Sequence, residues 1–162
     1  MMVADATLLD VAADYLTQAG KEFERTRRHD GVDVVQAEFA GQYVRMDGFF
    51  APIPGQSILA VYVVAIERVP RARRPAVAEL LVRLNSGLGV GRLDLSFETG
   101  ELQAYASIPA WDATLSPHQL HALLVSNLGN LDLLMQVIRC VIDESMTPEQ
   151  AVQAMPPTHI HF

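Results

Sequence analysis

Three glycines at every second position, Gly87, Gly89 and Gly91 in "NSGLGVGRLDLSFETGELQAY", are the first residues whose type and spacing could do chemistry. Glycines so placed can let a backbone curl around a phosphate. A dinucleotide fingerprint, however, runs strand, Gly-x-Gly-x-x-Gly, helix, so that the phosphate meets a helix N-terminus. Here the pattern predicts helix, glycines, strand, and no Lys-Ser/Thr follows as in a P-loop. The glycines read instead as the end of one helix and the corner into a strand.

The other reactive residue types fare no better. His118 and His121 are three apart near a helix start, with Asp112 close in sequence, but no third and fourth ligand has firm metal-site spacing. His159 and His161 lie in the tail "THIHF". No Gly-x-Ser-x-Gly elbow occurs. Glu38, Asp47, Asp94 and Glu98 fall on the polar phase of strands, where a carboxylate is solvated and lacks the cleft that acid–base catalysis needs. Catalytic residues, metal ligands and cofactors are therefore all expected to be absent.

Binding residues are better represented. Arg68, Arg71, Arg73 and Arg74 form a dense basic cluster at a helix start, where positive charge opposes the macrodipole. Such a cluster needs carboxylates, either the protein's own or a partner's, and Arg71, Arg73 and Arg74 are expected to be exposed. Trp111, in the loop "IPAWDATLSP", can anchor a partner or cap the edge of the core, and the cap is the favoured reading. With Tyr62 on an apolar strand, the candidate partner-contacting residues are Arg71, Arg73, Arg74, Tyr62 and Trp111.

The elements that position these residues follow from periodicity. An amphipathic helix is expected over Thr7–Ala19, capped by Asp5 or Thr7 and ended by Gly20, followed by a charged connector, "KEFERTRRHDG". The period then changes to two. Val35, Ala37 and Phe39 share one strand face, and Val44, Met46 and Phe50 share one after a turn in which Gly41 can take positive φ. "SILAVYVVAIERV" is apolar on both faces and reads as a central or doubly covered strand. A helix follows over "RRPAVAELLVRLNSG", then a hairpin with Leu93, Leu95 and Phe97 inward and Leu102, Ala104, Ala106 and Ile108 returning. The long helix from "SPHQLHALL" has Ser116 as its N-cap and Pro117 in its first position. Thr147-Pro148 starts a short last helix by the same device. The expected fold is α+β: a mostly antiparallel five-stranded sheet with helices on one face, in the order α-βββ-α-ββ-α-α.

Composition bounds the rest. A chain of 162 residues that is 50% hydrophobic and 19% charged is one domain's worth, with a core over about 7–153 and a tail over 154–162. The net charge of -7 opposes nucleic acid and anionic membranes at long range. Residues 1–88 carry eleven acids and ten bases, whereas 89–162 carry eight acids and only Arg92 and Arg139, so an anionic partner should meet the first half. The single cysteine, Cys140, sits in the apolar "LLMQVIRCVI" and is expected to be buried and inert, which fits a cytoplasmic protein. Asp5 and Asp10 interrupt any signal peptide, and Leu120–Ile142 is too polar to span a bilayer.

Taken together, Val69-Pro70, the helix ending "LLVRLN", the glycine and strand of "GRLDLSFETGEL", "LSPHQLHALLVSNLGNLDLLMQVIRCVI" and the closing "TPEQAV" resemble the YbjN family of bacterial proteins, described as sensory transduction regulators. The likeness covers Leu8 to Val152. It implies a fold like that of type III secretion chaperones, which are small, acidic, often dimeric proteins that hold an extended client segment. It carries over no catalytic residue. The expected function is a non-enzymatic cytoplasmic module, chaperone-like or regulatory, that binds a protein partner and forms a homodimer, with the apolar strand face or the second helix as the contact. The rival is a small-molecule-binding or enzymatic domain with a pocket between sheet and helices.

Overall fold

A computed structural model describes residues 3–111 and 115–155. The elements are α1 (Asp5–Gln18), β1 (Glu24–Arg27), β2 (Asp33–Ala40), β3 (Arg45–Ile53), β4 (Ile58–Arg68), a single 3-10 turn (Arg71–Arg73), α2 (Arg74–Asn85), β5 (Arg92–Leu95), β6 (Glu101–Pro109), α3 (Pro117–Ile142) and α4 (Pro148–Gln153). The strands form one antiparallel sheet in the order β1-β2-β3-β4-β6-β5. The sheet has six strands rather than the expected five. The addition is β1, read from sequence as a charged connector because all four of its residues are exposed and show no apolar alternation. It is an edge strand, and charged side chains are what keeps such an edge from pairing with other chains.

Strand alternation assigns the two faces. Val35, Ala37, Met46, Phe50, Leu59, Val61, Val63, Leu93, Leu102 and Ala104 are all buried and point to the helices. There α1 packs on β3, α3 crosses β4 and β6, and α2 lies on β5. Removing one Leu or Phe side chain of this layer from water is worth about 1.5–3 kcal/mol. The core is thus a single layer between sheet and helices, and among the described residues the other sheet face has no helix on it.

The long helix α3 is the chief support. Its N-terminus is closed by a capping box: Ser116 Oγ accepts from Gln119 N–H at 3.2 Å, and Gln119 Oε1 accepts from Ser116 N–H at 2.9 Å. Thr147 and Gln150 do the same for α4. On the core side, Asn127 is fully buried and donates from Nδ2 to the carbonyl of Val61 in β4 at 2.8 Å. Farther along, the carboxylate of Asp132 accepts from the N–H groups of Gln42, Tyr43 and Val44 at 2.8, 2.8 and 3.0 Å. Arg139 adds a bond to the Tyr43 carbonyl at 2.8 Å and an ion pair to Glu67. One helix therefore fixes both the central strand and the β2–β3 turn.

Two glycines owe their identity to this helix. Gly91 has φ +74°, and an added Cβ would lie 2.8 Å from both Asn127 Oδ1 and the Tyr105 carbonyl. Gly41 does not take the positive φ expected from sequence; a Cβ there would collide with the Asp132 carboxylate, so close approach is the reason for glycine. The corner reading of the glycine run agrees with the chain path, since α2 ends at Asn85 and Gly91 leads into β5.

Other expectations change in detail. Phe97 was expected to face inward, but β5 ends at Leu95 and Phe97 is 54% exposed in the turn that follows. Helix α1 begins at Asp5 with Ala4 in the cap position and no side-chain cap. Cys140 is half-buried rather than buried. Among the described residues no helix is long and apolar enough to cross a membrane.

Candidate binding site on the open sheet face

The face of the sheet that carries no helix holds one cross-strand row. Register pairs Gln36 with Phe49, Phe49 with Tyr62, Tyr62 with Tyr105 and Tyr105 with Arg92, so the row runs from β2 to β5. Directly paired side chains on antiparallel strands lie close enough to touch. Accordingly, the Phe49 and Tyr62 rings are 5.8 Å apart and tilted by 34°, while Tyr62 and Tyr105 stack at 6.1 Å and 13°. These are offset-stack separations that add to simple area burial.

One arginine closes the β5 end of the row and a second covers its middle. Arg92 lies over Tyr105 with its guanidinium carbon 4.2 Å from the ring centroid, and pairs with Asp94 at 3.0 Å. From the β1–β2 turn, Arg28 reaches back over Tyr62 at 5.5 Å, donates a hydrogen bond to its hydroxyl and pairs with Asp30 at 2.7 Å. The result is a trough of about 590 Å³, floored by Phe49, Tyr62 and Tyr105 and edged by Arg28, Asp47 and Glu101. Burial pushes the Tyr62 hydroxyl above its ordinary value, an effect that Arg28 opposes, so the phenol stays protonated at neutral pH. Burial, reinforced by the charge of Glu38, also pushes the Asp47 carboxyl upward against the pull of Arg45.

Of the candidates read from sequence, only Tyr62 lies in this trough. Arg73 and Arg74 are half-buried rather than exposed, because each serves backbone carbonyls. Arg73 donates to Val141 at the end of α3 at 2.7 and 3.2 Å and pairs with Glu144 at 3.2 Å. Arg74 donates to Val69 at 3.2 Å, Phe97 at 2.6 Å and Glu98 at 3.2 Å. Arg71 alone of the three is exposed. Trp111 is 61% exposed, so it does not cap the core. His121 accepts or donates at Nδ1 to the Tyr15 hydroxyl at 3.0 Å, and His118 is exposed. Asp112, His159 and His161 lie outside the described residues. Among the described residues no group of three His, Cys, Asp or Glu is placed to hold a metal.

Sequence reading missed Phe49, Tyr105, Arg28 and Arg92 as one site. The available signal was phase: Phe49 and Tyr105 are aromatics on the polar phase of their strands. What joins them is cross-strand register, which one-dimensional alternation does not contain.

The family follows from the chain as a whole. A family model named YbjN, with the description "putative bacterial sensory transduction regulator", matches residues 9–138. The chain belongs to the YbjN family. A crystal structure of YbjN from E. coli, called there "a putative transcription regulator", shares the fold with a TM-score of 0.53 at 17% identity, covering 90% of this chain and 92% of that one. The crystal structure of the ExsC–ExsE complex gives a looser overlay, with a TM-score of 0.47 at 15% identity over 85% of this chain and 97% of that one. No curated protein sequence matches the chain. Family membership assigns no site, so the site rests on the trough's own geometry.

Proposed function

We propose that this YbjN-family chain is a non-enzymatic, cytoplasmic interaction module whose open sheet face holds an extended segment of a protein partner. The observation that carries the reading is the in-register Phe49–Tyr62–Tyr105 row on a face without helices. Aromatic side chains gathered at one solvent-accessible place supply large contact area at low conformational cost, the usual make-up of a binding hot spot. The trough crosses strands β3, β4 and β6, which gives an extended chain several side chains to meet. The rival reading, a pocket between sheet and helices, has less support, because that interface is filled by the buried core.

The homodimer expected from sequence is kept as part of the proposal, with the second helix as the favoured of its two contacts. Part of the apolar stripe on β4 is already covered, since Ala60 is 3% exposed and Tyr62 lies under Arg28. The helix layer offers Val82 on α2, 73% exposed, as the seed of a two-fold contact. Light scattering coupled to size exclusion tests this: twice the 17.8 kDa chain mass supports it, and a chain-mass species across the micromolar range sinks it. The main reading is tested by affinity capture from native extract with wild type and Tyr62→Ser. A polypeptide retained by wild type and lost by a folded Tyr62→Ser variant supports the trough; equal retention by both removes it.

A further inference from the structure

We propose that the trough takes an arginine or lysine side chain of the extended partner segment, its cationic head at the Asp47 carboxylate and its alkyl stem along Phe49 and Tyr62. This inference rests on the reading above that the open face binds a polypeptide.

Charge pairing on the face carries it. Two other carboxylates line the trough, and each has an arginine: Asp30 has Arg28 at 2.7 Å and Glu101 has Arg68 at 3.0 Å. At the rim, Asp94 has Arg92 at 3.0 Å, and Glu38 has Arg45 at 3.8 Å. Asp47 has neither an ion pair nor a hydrogen bond from its carboxylate among the described residues, although it is half-buried and faces Glu38 across the β2–β3 ladder. Two carboxylates abreast, with Arg45 two residues along β3 as the one arginine near both, make a local negative site. Burial and the Glu38 charge both disfavour the ionised form of Asp47, so an incoming cation would relieve a cost already present.

The neighbouring rings suit the same ligand. Phe49 follows Asp47 by two residues on the same strand face, about 7 Å along β3. Tyr62 is its cross-strand neighbour. The protein itself already places guanidinium groups on this row, Arg28 on Tyr62 and Arg92 on Tyr105. A carboxylate beside aromatic faces binds a cation by charge and by ring quadrupole together. The overall net charge of -7 steers a basic segment in the same direction.

An acidic segment fits poorly, because the arginines that would receive it are each occupied by a carboxylate. Single-stranded nucleic acid also stacks on aromatic platforms, but such platforms lie in positively charged grooves. Here an unpaired carboxylate stands among the rings.

The test is fluorescence anisotropy with the full chain and three fluorescein-labelled probes: a peptide alternating arginine with valine, its counterpart with glutamate for arginine, and a uridylate oligomer. Wild type is expected to bind the arginine peptide more tightly than either other probe. Asp47→Asn should weaken that binding about tenfold or more, the equivalent of losing one close charge pair. Asp14→Asn, which removes an exposed charge on α1 away from the trough, should change it less than about twofold. Equal loss in both variants reduces the effect to net charge and overturns the inference. Tighter binding of the glutamate peptide, abolished by Phe49→Ser or Tyr62→Ser, overturns it while leaving the polypeptide reading in place. Tighter binding of the uridylate oligomer, or a dimer that Tyr62→Ser makes monomeric, overturns both by naming another occupant. No binding of either peptide overturns both as well.

Discussion

Asp132 and Asp47 are both aspartates near the β2–β3 hairpin, on opposite sides of one sheet, and they are treated in opposite ways. Asp132 reaches from α3 on the covered side and accepts three backbone N–H groups. Asp47, on the open side, accepts none from the described residues, and the pull of Arg45 does not offset its burial and the charge of Glu38. Burial raises the Asp132 carboxyl too, but the N–H groups of Tyr43, Gln42 and Val44, aided by Arg139, outweigh it and leave the group below its ordinary range. The same residue type thus titrates downward where the fold uses it and upward where the fold does not. A carboxylate that the fold compensates only in part, beside half-buried aromatic rings, is poised for a group from outside.

The largest effects are expected on the covered side. Gly91→Ala forces an alanine into positive φ and drives a methyl group into Asn127 and the Tyr105 carbonyl. The expected loss is about 2–4 kcal/mol, the sum of left-handed strain and overpacking. Gly89→Ala meets nothing within 4 Å and should be nearly silent. Urea unfolding of the pair checks this, and equal losses would contradict the clamp between α3 and the glycine corner.

Asp132→Ala comes next, at about 1–3 kcal/mol, because three donors lose their acceptor. Its pH dependence has a defined sign. A carboxyl depressed in the folded state contributes its full stability above the unfolded value of about 3.9, and loses it as pH falls through the lower folded value. Wild type should therefore lose more stability than Asp132→Ala on acidification below about pH 4. Parallel acid profiles would remove the assigned role.

Within the arginine cluster the effects are smaller. Arg73→Glu takes away the cap on the Val141 carbonyl and places a charge beside Glu144, for an expected loss of about 1 kcal/mol or somewhat more. Arg71→Glu, at an exposed site, should stay within about 0.5 kcal/mol. Thermal melts that rank the two in reverse would reopen the cluster as a simple surface patch.

The smallest effect is expected at Asp47 itself. A carboxyl raised in the folded state penalises folding as pH rises through its unfolded and folded values, so at neutral pH Asp47→Asn should leave stability unchanged or slightly higher, within about 0.5 kcal/mol. A clear loss of stability would show that Asp47 is a structural acid like Asp132.

Much of the covered side was legible in the sequence. The α3 stripe, its Ser116 cap and the inward phases of β2, β3 and β6 follow from local periodicity, and local periodicity is what a single sequence records. Strand β1 was hidden because an exposed edge strand has no apolar phase to read. The Asp132 clamp and the Phe49–Tyr62–Tyr105 row were hidden for another reason. The clamp joins residues about ninety positions apart, and the row depends on how three strands are set against one another. The arginine cluster misled because charge alone does not distinguish Arg73 and Arg74, which cap carbonyls, from Arg71, which faces water.

The open face, rather than the helix layer, is proposed to receive a polypeptide. Photo-crosslinking tests it most directly, with a benzophenone amino acid placed at Phe49 in one sample and at Val82 of α2 in another, followed by mass spectrometry of the products from native cells. The expected result is a heterologous polypeptide crosslinked from Phe49, lost when Tyr62→Ser is added, and at most a self-crosslink from Val82. A heterologous product from Val82 with none from Phe49 would contradict it.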